Sequence, residues 1–194
     1  MGAKAKEIGR YKMWYYGFYR TRNGVGIMVE QRLIEQVVEV RHKSDHIMSI
    51  KLVVGLEIIN TVCVYAPKKK GLEDEVKRLF WEELNEVIQS MPRPKRLFIG
   101  DDFNGHIEGE RYGYEAIHEG FGFGERNNGE VFILDFAVAC DLSLINSHFK
   151  KKEEHLVTFK SGNTRSQIDL FLLRVYNRRD CKDYKVIPSE CLMK

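Results

Sequence analysis

The stretch Leu97-Phe98-Ile99-Gly100-Asp101-Asp102-Phe103-Asn104-Gly105-His106 decides how this chain is read. Leu97 to Gly100 reads as a short buried strand, and Asp101 to His106 as the loop at its C-terminal end. In layered α/β folds, ligands bind at that end of a strand. Asp102 and Asn104 are two residues apart, so in an extended segment both side chains point the same way. A carboxylate there can orient or deprotonate a water, and an amide can donate to a phosphoryl oxygen. The same Asp-x-Asn-Gly spacing also suits an ordinary turn held by side-chain-to-backbone hydrogen bonds.

Upstream of this stretch the chain reads as strands. Met13 to Tyr16 is a short aromatic run, and Asn23-Gly24 is a turn signal before Val25 to Val29. Gln36 to Val40 is rich in β-branched residues. His46 to Val54 and Glu57 to Tyr65 alternate around Gly55 and predict a hairpin. The period then changes. Leu72, Val76, Leu79, Phe80, Leu84, Val87 and Ile88 recur at three and four, which predicts an amphipathic helix with Glu73, Asp74 and Glu75 in its first turn and Pro92 and Pro94 after it.

Downstream, residues 107–128 are rich in Gly and charge and read as a long loop. Glu130 to Cys140 predicts a second helix with a wide apolar face. Leu142 to Asn146, Leu156 to Phe159, Gln167 to Leu173 and Tyr184 to Ile187 read as further strands, with Gly162-Asn163 as a turn. Many strands and two helices in mixed order predict an α/β protein of packed mixed sheets flanked by helices, in one domain over 1–194.

The composition narrows the class. The chain has 194 residues, 43% hydrophobic and 30% charged, with Lys+Arg 31 against Asp+Glu 28 and a net charge of +3. That is a globular balance, and so small a charge neither requires nor excludes a polyanionic partner. No apolar run reaches the roughly 18 residues needed to cross a bilayer, so no membrane association is expected. Cys63, Cys140, Cys181 and Cys191 are scattered without a Cys-x-x-Cys pair, which fits free thiols in a reducing compartment rather than a zinc site or a disulfide scaffold. With no apolar run behind the lysines of the N-terminus, the expected location is intracellular, nucleus or cytoplasm, and not secreted.

Several segments together resemble the endonuclease/exonuclease/phosphatase superfamily, which includes abasic endonucleases and DNase I. These are Gly-Asp-x-Asn after a buried strand (Gly100 to Asn104), Asn60 to Pro67 with its Tyr-x-Pro ending, the Ser166-Gln167-Ile168-Asp169 strand, and Arg22 to Ile27. Within that superfamily, the segments at Arg22–Ile27, Val64–Pro67, Asp102–His106, Gly122–Asn127 and Phe149–Gly162 look like the endonucleases of RTE-clade non-LTR retrotransposons and their domesticated-looking copies. The resemblance implies a four-layer DNase I-like sandwich and Mg²⁺-dependent nicking of DNA. It implies that Asp102 orients or activates the attacking water, that Asn104 contacts and Tyr65 hydrogen-bonds the scissile phosphate, and that Asp169 sits at the far end of the site and organises a catalytic His or a metal. His106 belongs to the Asp-x-Asn-Gly-His signature. Asn127, Thr158 and Ser166 fall in segments that line the nucleic-acid surface.

The sequence also departs from that pattern. The superfamily's metal-ligand Glu would stand just before Met1, and its catalytic His would follow Lys194. No metal ligand is therefore assigned, and the domain is expected to be truncated at both ends and weakly active or inactive. The alternative is a catalytically dead nucleic-acid or protein-binding module of the same fold. Asp101 stands where relatives carry a small residue, and its carboxylate is expected to face solvent. Lys68-Lys69-Lys70 and Lys150-Lys151-Lys152 are basic clusters that suit nucleic acid and equally suit solvated loops, the second partly cancelled by Glu153-Glu154.

Overall fold

The computed structural model describes residues 4–16, 24–67, 74–93, 95–106, 109, 112–123 and 128–187. The Asn23 turn residue, the Lys68–Lys70 cluster and Asn127 lie outside them. The chain divides into two compact units, Met1–Asn104 and Gly105–Lys194.

In the first unit, β1 (Lys4–Ile8), β2 (Tyr11–Tyr16) and β3 (Val25–Glu30) form an antiparallel sheet in chain order. A 3-10 segment at Gln31–Gln36 leads into β4 (Val37–Ser44), β5 (Ile47–Val54) and β6 (Glu57–Tyr65), a run of antiparallel neighbours. After α1 (Asp74–Gln89), β7 (Arg96–Asp102) joins β6 in parallel, as a strand reached through a crossover helix can.

The two sheets pack face to face. Val25, Ile27 and Val29 of β3 meet Met48, Ile50 and Leu52 of β5 and Cys63 of β6, with Trp14, Ile59 and Tyr65 closing the edges. Alternate residues of the second sheet, among them Ile47, Val62, Val64, Leu97 and Ile99, are buried on its other side. There α1 contributes Phe80, Leu84 and Ile88, all buried. The Phe80 ring stands edge-on to His46 at 6.2 Å, and Trp81 stacks on Phe103 at 6.3 Å. Each of these buried side chains is worth about 1.5–3 kcal/mol over an exposed one. The unit is thus layered helix, sheet, sheet, as the mixed α/β reading expects.

The β5–β6 hairpin turns at Gly55, whose φ of +61° is a conformation that glycine adopts without a Cβ penalty. Its neighbour Leu56 is fully exposed. Leu79, placed by its spacing on the apolar face of α1, is instead 52% exposed, because the buried stripe runs through Phe80, Leu84 and Ile88.

The second unit holds α2 (Asn128–Ala139), β8 (Leu142–Leu144), β9 (Phe159–Ser161), β10 (Thr164–Ser166) and β11 (Asp169–Arg174). β11 pairs antiparallel with β8, and β9 with β10 through the turn at Gly162. Asp141 ends α2 in the left-handed region at φ +53°, and its carbonyl accepts the Val175 N–H at 2.9 Å. The core of this unit is Ile133, Leu134, Ala137, Leu142, Leu144, Ile145, Leu170 and Leu172.

Three of the expected strands shift, and two further strands are present. The strand at Leu142 stops at Leu144, and Ile145–Ser147 is a 3-10 turn that takes Asn146 out of the ladder. Leu156 to Thr158 is not strand, and β9 begins at Phe159. β10 and the all-exposed β1 carry no apolar alternation to announce them. Tyr184 to Ile187 is irregular, tied by the Val186 N–H to the His155 carbonyl at 2.9 Å.

Candidate functional site

In the first unit the site residues gather where β6 and β7 end. Tyr65 and Asp102 are direct register partners on parallel strands, so their side chains leave the sheet on the same side. The ladder continues one step further, with the Ala66 N–H donating to the Asp102 carbonyl at 2.8 Å. Beyond it the chain turns. The Asn104 N–H donates to Asp102 Oδ1 at 2.8 Å, and Asn104 Nδ2 donates to the Ala66 carbonyl at 2.5 Å. Asn104 sits at φ +49°, which Asn tolerates better than most residues. The turn and the candidate catalytic pair are therefore one structure: Asn104 clamps the end of β6 to the end of β7.

Tyr65 is held from behind by His46. The His46 Nδ1–H donates to the Tyr65 carbonyl at 2.5 Å, since a carbonyl can only accept, and the Tyr65 N–H donates to the His46 carbonyl at 2.9 Å. The two rings lie nearly parallel, 6.0 Å apart.

Asp101 departs from ordinary geometry. Its φ of +114° is strained for any residue but glycine, at a cost of about 1–3 kcal/mol. Its side chain is exposed, as expected, but one carboxylate oxygen also accepts from the Cys63 thiol at 2.9 Å. Burial, reinforced by this bond to Asp101, pushes the Cys63 thiol up to about 12. Cys63 is thus an anchor for the strained residue and a poor nucleophile.

In the second unit Asp169 opens β11, and its backbone is fixed from two directions. Thr158 Oγ1 accepts the N–H groups of Ile168 at 3.0 Å and Asp169 at 3.1 Å. Asn146 Nδ2 donates to the Asp169 carbonyl at 3.1 Å, and Asn146 Oδ1 accepts the Phe171 N–H at 2.7 Å. The Asn146 side chain thereby replaces a peptide unit, extending the ladder past the end of β8. Its amide also donates to the Tyr184 hydroxyl at 3.0 Å, whose ring stacks on Phe171. Burial raises the Tyr184 hydroxyl above its usual range. Asn146 was missed by sequence reasoning: its partners lie 23 to 38 positions away and leave no local pattern.

Ser166 is buried at the end of β10, and its carbonyl accepts the Thr158 N–H at 3.0 Å. His106 is half-buried in the loop after Gly105. Lys151 is paired with Asp183 at 2.5 Å, and Arg165 with Glu153 at 2.5 Å.

Mg²⁺ is ordinarily held by one or two carboxylates, and Asp101 and Asp102 are the two that this tip carries. The adjacent carboxylates Asp101 and Asp102 are engaged by the Cys63 thiol and the Asn104 N–H. Among the described residues no three His, Cys, Asp or Glu side chains come together to hold a metal ion. No helix among them is long and apolar enough to cross a membrane.

The mixed α/β layers of sheets with helices outside share their fold with endonuclease/exonuclease/phosphatase proteins of known structure. It superposes on the endonuclease domain of TRAS1, a telomere-specific non-LTR retrotransposon, with a TM-score of 0.58 and 12% identity over 85% of this chain and 67% of that one. On the 3′ phosphatase NExo from Neisseria, bound to a product DNA hairpin, the TM-score is 0.64 with 16% identity, over 90% and 70%. In sequence it is similar to craniofacial development protein 2 of Bos taurus, 28% identical over 170 residues, and equally to that of Tragulus javanicus. Those 170 residues are 87% of this chain, but the match spans only 28% of the Bos taurus protein. No protein-family model matches the sequence.

Proposed function

We propose that this is a retrotransposon-derived nuclease-fold domain that holds a DNA phosphodiester at the tip of β6 and β7 and cleaves it weakly or not at all. The observation that carries this reading is the Tyr65–Asp102–Asn104 arrangement, built by strand register and locked by the Asn104 clamp on Ala66. In it Tyr65 supplies a hydroxyl donor to a phosphate oxygen. Asp102 orients the attacking water, and Asn104 meets the phosphate from the turn. Asp169, in the second unit, has by the resemblance the role of organising a catalytic His or a metal. By the resemblance, Asn127, Thr158 and Ser166 fall in segments that line the nucleic-acid surface, and His106 falls in the Asp-x-Asn-Gly-His signature. DNA as the partner is supported by the likeness to the TRAS1 endonuclease domain and to the DNA-bound Neisseria enzyme.

Mg²⁺ is what the fold's relatives by sequence resemblance would use, to stabilise charge on the leaving oxygen. Asp101 and Asp102 each accept a hydrogen bond, and among the described residues no three His, Cys, Asp or Glu side chains come together to add a further ligand. Removing one member of a cooperative catalytic set commonly costs several kcal/mol of transition-state stabilisation. The binding reading is therefore favoured over efficient hydrolysis.

The test is nicking of supercoiled plasmid with and without Mg²⁺, beside Asp102→Ala, together with DNA binding at two salt concentrations. Salt-sensitive binding with no nicking above the Asp102→Ala background is the expected result. Mg²⁺-dependent nicking that disappears in Asp102→Ala restores the full nuclease. Absence of DNA binding removes the proposal.

A further inference from the structure

α2 is apolar over more of its surface than its own core uses. Ile133, Leu134, Ala137 and Cys140 are buried. Val131, Phe132 and Val138 face outward, 39%, 61% and 49% exposed. A surface helix ordinarily gives its outward positions to polar side chains. Single exposed apolar residues need no explanation, but these are aligned. Val131, Asp135 and Val138 are separated by four and three, and Phe132, Asp135 and Ala139 by three and four. That is the spacing of a seam that seats a second helix.

Charge indicates what the seam seats. Asp135 lies exposed at its middle, and the Tyr114 hydroxyl donates to its Oδ1 at 2.8 Å, which orients the carboxylate. From Asn128 to Asp141 the sequence holds Glu130, Asp135 and Asp141 and no Lys or Arg, in a chain of net charge +3. We infer that the outward stripe of α2 docks an amphipathic helical segment of another protein, one that carries a Lys or Arg at the centre of its apolar face. The cation opposite Asp135 sets register and partner choice, as a single polar position does in a helix pair. A second copy of this chain is disfavoured, because two-fold pairing through the middle of the stripe sets Asp135 against Asp135. Anionic lipid is repelled by the same acids. The inference does not rest on the nucleic-acid reading.

The probe is a fluorescein-labelled amphipathic helical peptide with Leu along one face and a single Lys at the centre of that face, beside the same peptide with Glu there. Saturable anisotropy is expected with the Lys peptide, and about tenfold weaker binding with the Glu peptide. Phe132→Ser combined with Val138→Ser abolishes binding while the melting temperature stays at or above that of the parent chain, since both positions are exposed. Asp135→Asn narrows the gap between the two peptides. Equal affinity for both peptides, binding that survives the double substitution, or no binding of either peptide overturns the inference. So does sedimentation showing a dimer that Phe132→Ser dissociates.

Discussion

The two strand tips solve one problem in opposite ways. At the end of β7 the carboxylate of Asp102 is presented by a backbone forced into unusual conformations, with Asp101 at φ +114° and Asn104 at φ +49°. At the start of β11, Asp169 is presented by an ordinary strand whose peptide groups are each answered by a side chain from elsewhere, Thr158 on one side and Asn146 on the other. The first tip stores strain, and the second is relaxed and fully bonded. Strain can be relieved by substitution, whereas a satisfied buried network can only be damaged.

This contrast is sharpest at Asn146. Asn146→Ala takes the amide away from the Phe171 N–H and the Asp169 carbonyl in a half-buried setting, so a loss of about 2 kcal/mol is expected in urea denaturation. A loss below 1 kcal/mol would mean that water replaces the side chain and that this tip is less rigid than drawn. Thr158→Val keeps the shape and removes the acceptor for two N–H groups, for an expected loss of about 2 kcal/mol by the same measurement. At the strained tip the sign reverses. Asp101→Gly should stabilise by about 1 kcal/mol, the released strain exceeding the lost thiol bond. A fall in melting temperature would show that the Cys63 contact outweighs the backbone.

The smallest effect is one of pH. Burial holds His148, which lies 2.8 Å from Ser143 Oγ, below the ordinary imidazole value of 6.5. Burial does the same to His42, stacked on Tyr16 in the first unit. A depressed folded pKa contributes stability above the unfolded value and loses it as pH falls through the folded one. Each unit should therefore weaken as pH drops below about 6.5, and His148→Gln should flatten part of that slope in a series of melts. An unchanged slope would assign the acid weakening to carboxylates instead.

Much of the first unit was legible because its signals are local. The alternation around Gly55 announced the β5–β6 hairpin, the three-and-four spacing announced α1, and the apolar run into Asp101 and Asp102 announced β7 and its tip. What escaped depends on distant partners. Nothing in Lys4–Ile8 alternates, and β1 exists because its backbone pairs with β2. The neighbours of Tyr184 suggest a strand, yet its place is set by Asn146 and Phe171. Asp101 is visible in the sequence as an odd second carboxylate, but no spacing rule encodes its backbone at φ +114°.

The β5–β6 turn has a practical consequence. Gly55 needs no neighbour within reach of a Cβ, Leu56 touches nothing that shields it, and the flanking Val53 and Val54 already lean into solvent. Exposed hairpin tips of this kind accept added sequence with little penalty. A short peptide epitope or a fluorophore-bearing cysteine inserted between Gly55 and Leu56 would give the domain a handle for immobilisation at the end of β5 and β6 opposite the Tyr65 tip.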